Sequence, residues 1–358
     1  MTTPFDTAVE AADVFDYVIV GAGTAGCLLA NRLSADPSKR VLLIEAGKPD
    51  NYHWIHIPVG YLYCIGNPRT DWLYQTEPTE GLNGRALRYP RGKVLGGCSS
   101  INGMIYMRGQ SRDYDQWAKL TGDDAWRWDQ CLPYFRLHED HHMGASDVHG
   151  AKGVVTELLK PQTHDNPAST DYFQLLKARQ AGGEWRVEKQ RLSWGVLDAF
   201  ALAAQQAGIP SSSDFNQGNN EGVGYFEVNQ KSGWRWNTAQ AFLRPTCYAR
   251  PNFELWTQAQ VAGLVIETDA DGGKRCTGVK VWDGHQLVTA TATREVALSA
   301  GSIGSAQILQ LSGIGPGHAL KQVGIDVAHD LPGVGANLQD HLQIRSVYKV
   351  KNAKTLNT

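Results

Sequence analysis

Gly21, Gly23 and Gly26 stand in the run Gly21-Ala-Gly-Thr-Ala-Gly26, and Glu45 follows nineteen residues after the last of them. That spacing suits a bound pyrophosphate. The first glycine permits a sharp turn, the second lets backbone approach the phosphates, and the third lets a helix pack closely on a strand. The phosphates would sit on the N–H groups at the helix start, beside Thr24 and Ala25. An acid at the end of the next strand, Glu45, is placed to accept hydrogen bonds from an adenosine ribose. The competing reading is a close-packed turn with a solvated Glu45, and the fingerprint alone does not separate NAD from FAD.

A second constellation lies in Tyr89-Pro-Arg-Gly-Lys-Val-Leu-Gly-Gly-Cys-Ser-Ser-Ile-Asn-Gly-Met104, which brings a basic pair, a Gly-Gly turn, two hydroxyls and an amide into sixteen residues. Such a loop can wrap an anionic, polar-edged cofactor. A surface turn with Ser99 or Ser100 capping the next helix is the alternative. Two other groupings carry less. His138, His141 and His142 with Glu139 and Asp140 have ligating side chains, but in a loop-flanked polar run they read as a solvated face, and no metal site is expected. Ser305 with His318 or His341 lacks the G-x-S-x-G elbow of a serine hydrolase.

The elements that must position these residues read as a βαβ unit. Phe15 to Val20 is a buried-strand pattern, the helix after the glycines would turn Leu28, Leu29 and Leu33 inward, and Val41 to Glu45 is the next strand. Phe253 to Thr257 reads as a further parallel strand. Gly263 to Thr268, Thr277 to Asp283 and Gln286 to Ala292 alternate like a small antiparallel meander, with turns at Asp271-Gly-Gly273 and Asp283-Gly284, and Arg294 to Ala300 returns to the main sheet. From roughly His141 to Gln230 the composition changes. Pro161, Pro167, Pro210, Ser211 to Ser213 and Asn216-Gln-Gly-Asn-Asn220 mark loops around short strands and one helix, Val196 to Ala207.

The charge balance narrows the partners. Across 358 residues, 34 Lys+Arg stand against 36 Asp+Glu, a net charge of -2. This lacks the basic excess that neutralises a phosphate backbone, so no nucleic-acid partner is expected. Six cysteines without a C-x-x-C pair fit reduced thiols in a cytoplasm. The acids Asp6, Glu10, Asp13 and Asp16, before and at the start of the first strand, are the opposite of a signal peptide's positive start. The uncharged run from Val296 to Gly317 is too rich in Ser, Gln and Gly to suit lipid.

The Tyr89–Met104 segment resembles the first signature of the glucose-methanol-choline (GMC) flavoprotein oxidoreductases. Gly301-Ser-Ile-Gly-Ser-Ala-Gln-Ile-Leu-Gln-Leu-Ser-Gly-Ile-Gly315 resembles the family's second signature, and Gly333-Val-Gly-Ala-Asn-Leu-Gln-Asp-His341 a hallmark that follows it. Asp71-Trp-Leu-Tyr-Gln-Thr-Glu-Pro78, Arg91-Gly-Lys-Val-Leu-Gly-Gly97 and Trp236-Asn-Thr-Ala-Gln-Ala-Phe-Leu243 are similar to the bacterial choline and alcohol dehydrogenase group.

The fold this resemblance implies is α/β: a Rossmann-like FAD-binding domain, a parallel sheet plus a small β-meander, with an incomplete α+β substrate domain. Residues 14–140 and 231–345 would form the first, and 141–230 and 346–358 the second. Gly21, Gly23, Thr24, Ala25, Gly26 and Glu45 would hold the ADP half of FAD. Val94, Gly97, Ser99, Asn102 and Gly103 would line the isoalloxazine and ribityl side. Val261 would offer its backbone to the adenine, with Ala300 and Gly301 against it. Ile101 stands where some relatives carry a flavin-linking histidine, so FAD held non-covalently is implied. Cys98, a small and usually buried side chain, and Ala306 depart from the commoner residues, and Ala151 to Gln180 looks like an insertion.

The reaction implied is oxidation of a primary alcohol. A base takes the hydroxyl proton, hydride passes to flavin N5, and oxygen, a quinone or a dye accepts the electrons. The implied setting is the cytoplasm, with peripheral association at the inner face of the membrane. In the family the histidine base comes from beyond the third hallmark, and the chain stops at Thr358, so no catalytic residue is named. Two alternatives stay open: a catalytically silent flavin-binding remnant, and an NAD dehydrogenase, in which the loop around Gly97 would have no role.

Overall fold

The computed structural model describes residues 13–151 and 183–352. The chain divides into two compact units, Met1–Gly103 with Asn237–Leu342 and Met104–Trp236 with Gln343–Thr358. In chain order their elements include strands β1 (Asp13–Val20), β2 (Val41–Glu45), β3 (Glu139–His141), β4 (Trp185–Lys189), β5 (Glu227–Val228), β6 (Phe253–Thr257), β7 (Gln260–Thr268), β8 (Lys274–Trp282) and β9 (Leu287–Leu298). The helices include α1 (Thr24–Leu33), α2 (Ser111–Thr121), α3 (Trp128–His138), α4 (Gly195–Gln206) and α5 (Gly301–Leu311).

The first unit is built on a six-stranded sheet in the order β6-β2-β1-β9-β8-β7. β1 runs parallel to both β2 and β9, and β6 runs parallel to β2. β2 is buried along its whole length, the near-continuous apolar run of a strand covered on both faces. Val18, Val20, Leu42, Ile44, Val279, Val281 and Ala290 belong to one buried core. The antiparallel meander is present, but it is not separate from the main sheet. Its third strand and the returning strand are one twelve-residue strand, β9, which pairs with β8 on one side and β1 on the other. The β1–β9 register shifts once, between Phe15 and Tyr17, where β9 carries one extra residue between Ala292 and Glu295.

Helix α1 forms where expected but turns a different face inward. Gly26, Cys27, Ala30, Asn31 and Arg32 are buried, whereas Leu28, Leu29 and Leu33 are only partly covered. The reason is proximity: a Cβ on Gly26 would lie 1.9 Å from the Gly21 carbonyl oxygen, so small side chains must face the strand. Asn31 is buried because its amide has partners, donating to the Phe242 carbonyl at 2.6 Å and to Thr246 Oγ1 at 2.7 Å.

In the second unit β3 pairs in parallel with β4, and β4 in antiparallel with β5. Helices α2 and α3 share an aromatic cluster of Tyr114, Trp117, Trp128 and Phe135. Residues 104–140, expected in the cofactor half, pack in this unit instead. The Tyr106 N–H donates to the Glu227 carbonyl and the Asn229 N–H to the Met104 carbonyl. The composition shift near His141 marks loops, not the point where the chain passes between units. Residues 152–182, which hold most of the apparent insertion, lie outside the described residues.

The polar run around His141 is not a solvated face. Glu139 is fully buried and His141 nearly so. Arg108 Nη2 lies 2.8 Å from Glu139 Oε2, and His149 bridges Glu139 at 3.0 Å and Asp214 at 2.9 Å. Burial opposes a charge on His149, but its bonds to the Asp214 and Glu139 carboxylates prevail and raise its pKa to about 9. A buried, fully paired cluster of this kind is invisible to a reading of charge density along the chain.

Candidate cofactor site

The carboxyl ends of β1, β2 and β9 open onto a cleft of about 530 Å³ in the first unit, lined in part by Val20, Ile44, Glu45, Leu298 and Ser299. The chain leaves β1 for β2 on one side while β9 lies on the other, so the cleft sits at a topological switch point, where open α/β sheets bind ligands. Gly23 caps α1, and Ala300 caps α5. Thr24 and Ala25 from one helix start, and Gly301 and Ser302 from the other, line the cleft, so two sets of free N–H groups face it.

The turn between β1 and α1 is glycine for reasons of space. Gly21 has φ +95°, and a Cβ there would meet the Ser299 carbonyl oxygen at 2.6 Å. Ser299 Oγ is 2.9 Å from both the Val20 and Gly21 carbonyl oxygens, which fixes the end of β9 against the turn. The Gly96 N–H donates to the Ala22 carbonyl at 2.8 Å, and a Cβ on Gly97 would sit 2.8 Å from Gly23 Cα. The second constellation therefore packs on the first.

Glu45 is buried at the end of β2. Its Oε2 accepts the Ala22 N–H at 2.9 Å and its Oε1 accepts the Gly47 N–H at 2.8 Å. Burial pushes its pKa up to about 7, against those two backbone bonds and the Lys93 charge. Each oxygen has a further lone pair for a hydroxyl donor.

Of the residues read from the sequence, Gly21, Gly23, Thr24, Ala25, Glu45, Gly97, Val261, Ala300 and Gly301 line the cleft. Gly26 acts behind it by letting α1 approach. Val94 packs in the interior with Ile55, Cys64 and Ile101. Ser99 is a brace, its hydroxyl donating to the Gly96 carbonyl at 2.6 Å and accepting the Thr238 N–H at 3.1 Å. Asn102 and Gly103 are exposed and outside the cleft lining. Cys98, expected to be buried, is exposed and lines the cleft, because the turn at Gly96 and Gly97 directs Ser99 and Ser100 inward instead.

The lining also includes Trp72, Tyr74 and Arg91, from the two segments similar to the choline and alcohol dehydrogenase group. The Trp72 and Tyr74 rings stack with centroids 5.7 Å apart. Alternation of aromatic residues beside a buried acid was the available signal: Asp71 accepts the Leu73 and Arg91 N–H groups at 3.0 and 3.1 Å and so shapes this wall.

The sequence matches the GMC oxidoreductase family over residues 15–343. The chain belongs to the GMC oxidoreductases. It is 39% identical over 342 residues to human mitochondrial choline dehydrogenase, covering 94% of this chain and 51% of that protein. It is 40% identical over 335 residues to an acceptor-dependent alcohol dehydrogenase of Pseudomonas putida, covering 92% of this chain and 54% of the relative. Among solved structures, an FAD-dependent oxidoreductase from Chaetomium thermophilum superposes with a TM-score of 0.73 at 30% identity, covering 90% or more of this GMC chain (91%) and 52% of its own. The chain thus spans about half the length of the relatives it matches.

FAD, the cofactor of the GMC family, fits the cleft on its geometry. The volume is in the range of small-ligand sites, and a Cβ at Gly23 would meet nothing nearer than Gly97 Cα at 4.0 Å, which leaves that glycine free for backbone approach by a ligand. No helix among the described residues of this GMC chain is long and apolar enough to cross a membrane.

Proposed function

We propose that this chain forms the FAD-binding part of a flavoenzyme that oxidises a primary alcohol of the choline, aliphatic or aromatic type. The observation that carries the reading is the cleft at the β1, β2 and β9 ends, where two helix starts, the Gly21–Gly26 turn and the Glu45 carboxylate converge. Gly21, Gly23, Thr24 and Ala25 would take the pyrophosphate, Glu45 the adenosine ribose, and Val261, Ala300 and Gly301 the adenine. Gly97 would close the turn from the flavin side, braced from behind by Val94 and Ser99, with the exposed Asn102 and Gly103 outside the cleft lining. Bound FAD supplies the hydride acceptor, and oxygen or a quinone restores it. Ile101 packs in the interior and has no nucleophile, which supports non-covalent FAD.

Among the described residues lining the cleft there is no histidine. Removal of the alcohol proton needs a base near the hydroxyl, typically worth ~10²–10⁴ in rate. On this reading the base comes from outside the cleft described here, and the 358-residue chain alone binds FAD without turning over alcohol. The same observation gives weight to the alternative of a silent flavin-binding protein. Anaerobic mixing of the flavin-loaded chain with choline, benzyl alcohol or a medium-chain alkanol tests this. No bleaching of the flavin band is expected from this chain, and bleaching on supplying the length that the relatives have would separate the enzyme from the silent protein. Rapid bleaching by this chain alone would overturn the assignment of the base.

A further inference from the structure

We propose that His141, His142 and Glu227, in the second unit, form a binding site for a single divalent zinc ion. His141 Nε2 lies 2.8 Å and His142 Nε2 3.0 Å from the same oxygen, Glu227 Oε1, and the ligating atoms all fall within 4.8 Å of one another. In a tetrahedral zinc site with bonds of about 2.0–2.1 Å, ligand atoms stand about 3.3–3.4 Å apart. The two close pairs therefore need to open by only about half an ångström to admit the ion.

The three ligands are held before any ion arrives. The His141 N–H donates to the Gly150 carbonyl at 3.0 Å, the His142 N–H donates to the Val187 carbonyl at 3.0 Å, and the Glu227 carbonyl accepts the Tyr106 N–H at 2.9 Å. Asn216 Nδ2 reaches Glu227 Oε2 at 3.4 Å and orients the carboxylate from behind, as outer partners of metal ligands do. The His141 ring is fixed by stacking on His149 with centroids 3.7 Å apart. One weak bond is lost: with the ion on Nε2 the imidazole proton moves to Nδ1, which gives up the 3.3 Å bond from the Met143 N–H.

The donor set selects the ion. Two imidazole nitrogens and one carboxylate suit zinc and its first-row neighbours, whereas magnesium and calcium favour all-oxygen sites. The Glu227 and His141 side chains are 12% and 4% exposed, and that of His142 22%, so the fourth position opens beside His142 and would hold water. Glu227 begins β5 and His141 ends β3, on opposite sides of β4. An ion there would link two strands that do not pair with each other in the sheet.

Tag-free chain stripped with EDTA is titrated with zinc chloride by calorimetry and with cobalt(II) by visible absorption. One equivalent of zinc per chain, an intense cobalt band of tetrahedral type and a thermal midpoint that climbs with zinc concentration are expected, with no response to magnesium. His142→Ala, at the most exposed ligand, and Glu227→Gln should each weaken zinc binding at least 100-fold while far-UV circular dichroism stays unchanged. Absence of stoichiometric binding would show a plain His–Glu–His hydrogen-bonded clasp and overturn the proposal. Binding left intact in a folded His142→Ala chain would place the ion elsewhere and overturn it equally.

Discussion

The Glu45 carboxylate accepts the backbone N–H of Ala22 at 2.9 Å, so the acid at the end of β2 is tied to the glycine turn at the end of β1. Its other oxygen holds the Gly47 N–H. The residue proposed to bind ribose thus also sets the shape of the turn proposed to bind pyrophosphate.

Glu45→Gln should weaken FAD binding by about 10- to 100-fold. A glutamine presents one acceptor where two backbone donors converge, and hydrogen bonds to a charged group are worth roughly 1.5–3 kcal/mol. Quenching of flavin fluorescence on titration gives the affinity. An unchanged value would remove Glu45 from the site.

The raised pKa of Glu45 gives the cleft a pH signature. In the FAD-free folded chain the carboxyl holds a proton up to about pH 7, whereas the unfolded chain releases it near the ordinary 4.5. Its contribution to stability is therefore complete below pH 4.5 and is lost as pH rises through 7, on the order of 3 kcal/mol in total. The difference in denaturation midpoint between wild type and Glu45→Gln should fall across that window. Ribose hydroxyls donate to the ionised form, so FAD affinity should rise from about pH 6 to about pH 8 in the wild type and stay level in Glu45→Gln. A level wild-type profile would contradict the linkage.

Gly23 and Gly26 separate ligand binding from folding. A Cβ at 26 would lie 1.9 Å from the Gly21 oxygen, while a Cβ at 23 would meet only Gly97 Cα at 4.0 Å. Gly26→Ala should destabilise the chain by several kcal/mol in urea melts. Gly23→Ala should fold with stability near wild type and lose FAD affinity at least 10-fold. Equal loss of stability in both variants would show that the turn is glycine-rich for packing alone.

The sheet, the glycine turn and Glu45 were legible because parallel strands buried on both faces and phosphate turns constrain residue type locally. Three things were not. The inward face of α1 depends on its distance from the sheet, and leucine content gave the wrong side. β9 looked like two strands because Arg294 interrupts its apolar alternation. The burial of Glu139, His141 and His149 rests on Arg108, Asp214 and Glu227, which lie far away in sequence. Within the cleft, Gly21, Gly23 and Gly97 form part of the lining, while Ser99 and Val94 brace the wall from behind.

Cys98 offers an occupancy probe. It is exposed and lines the cleft, whereas Cys131 and Cys276 are partly covered and lie outside its lining. FAD should slow iodoacetamide labelling of Cys98 several-fold and leave Cys131 and Cys276 unchanged, as followed by peptide mass spectrometry. Equal labelling with and without FAD would separate the cofactor from this wall.

The cleft at the ends of β1, β2 and β9 should hold one dissociable FAD. Equilibrium titration of the stripped 358-residue chain with FAD, followed by acid precipitation, measures it directly. One flavin per chain, released entirely to the supernatant and bound at least 10-fold more weakly by the folded Gly23→Ala variant, is the predicted result. No stoichiometric binding, flavin retained in the precipitate, or equal affinity in wild type and Gly23→Ala would contradict it.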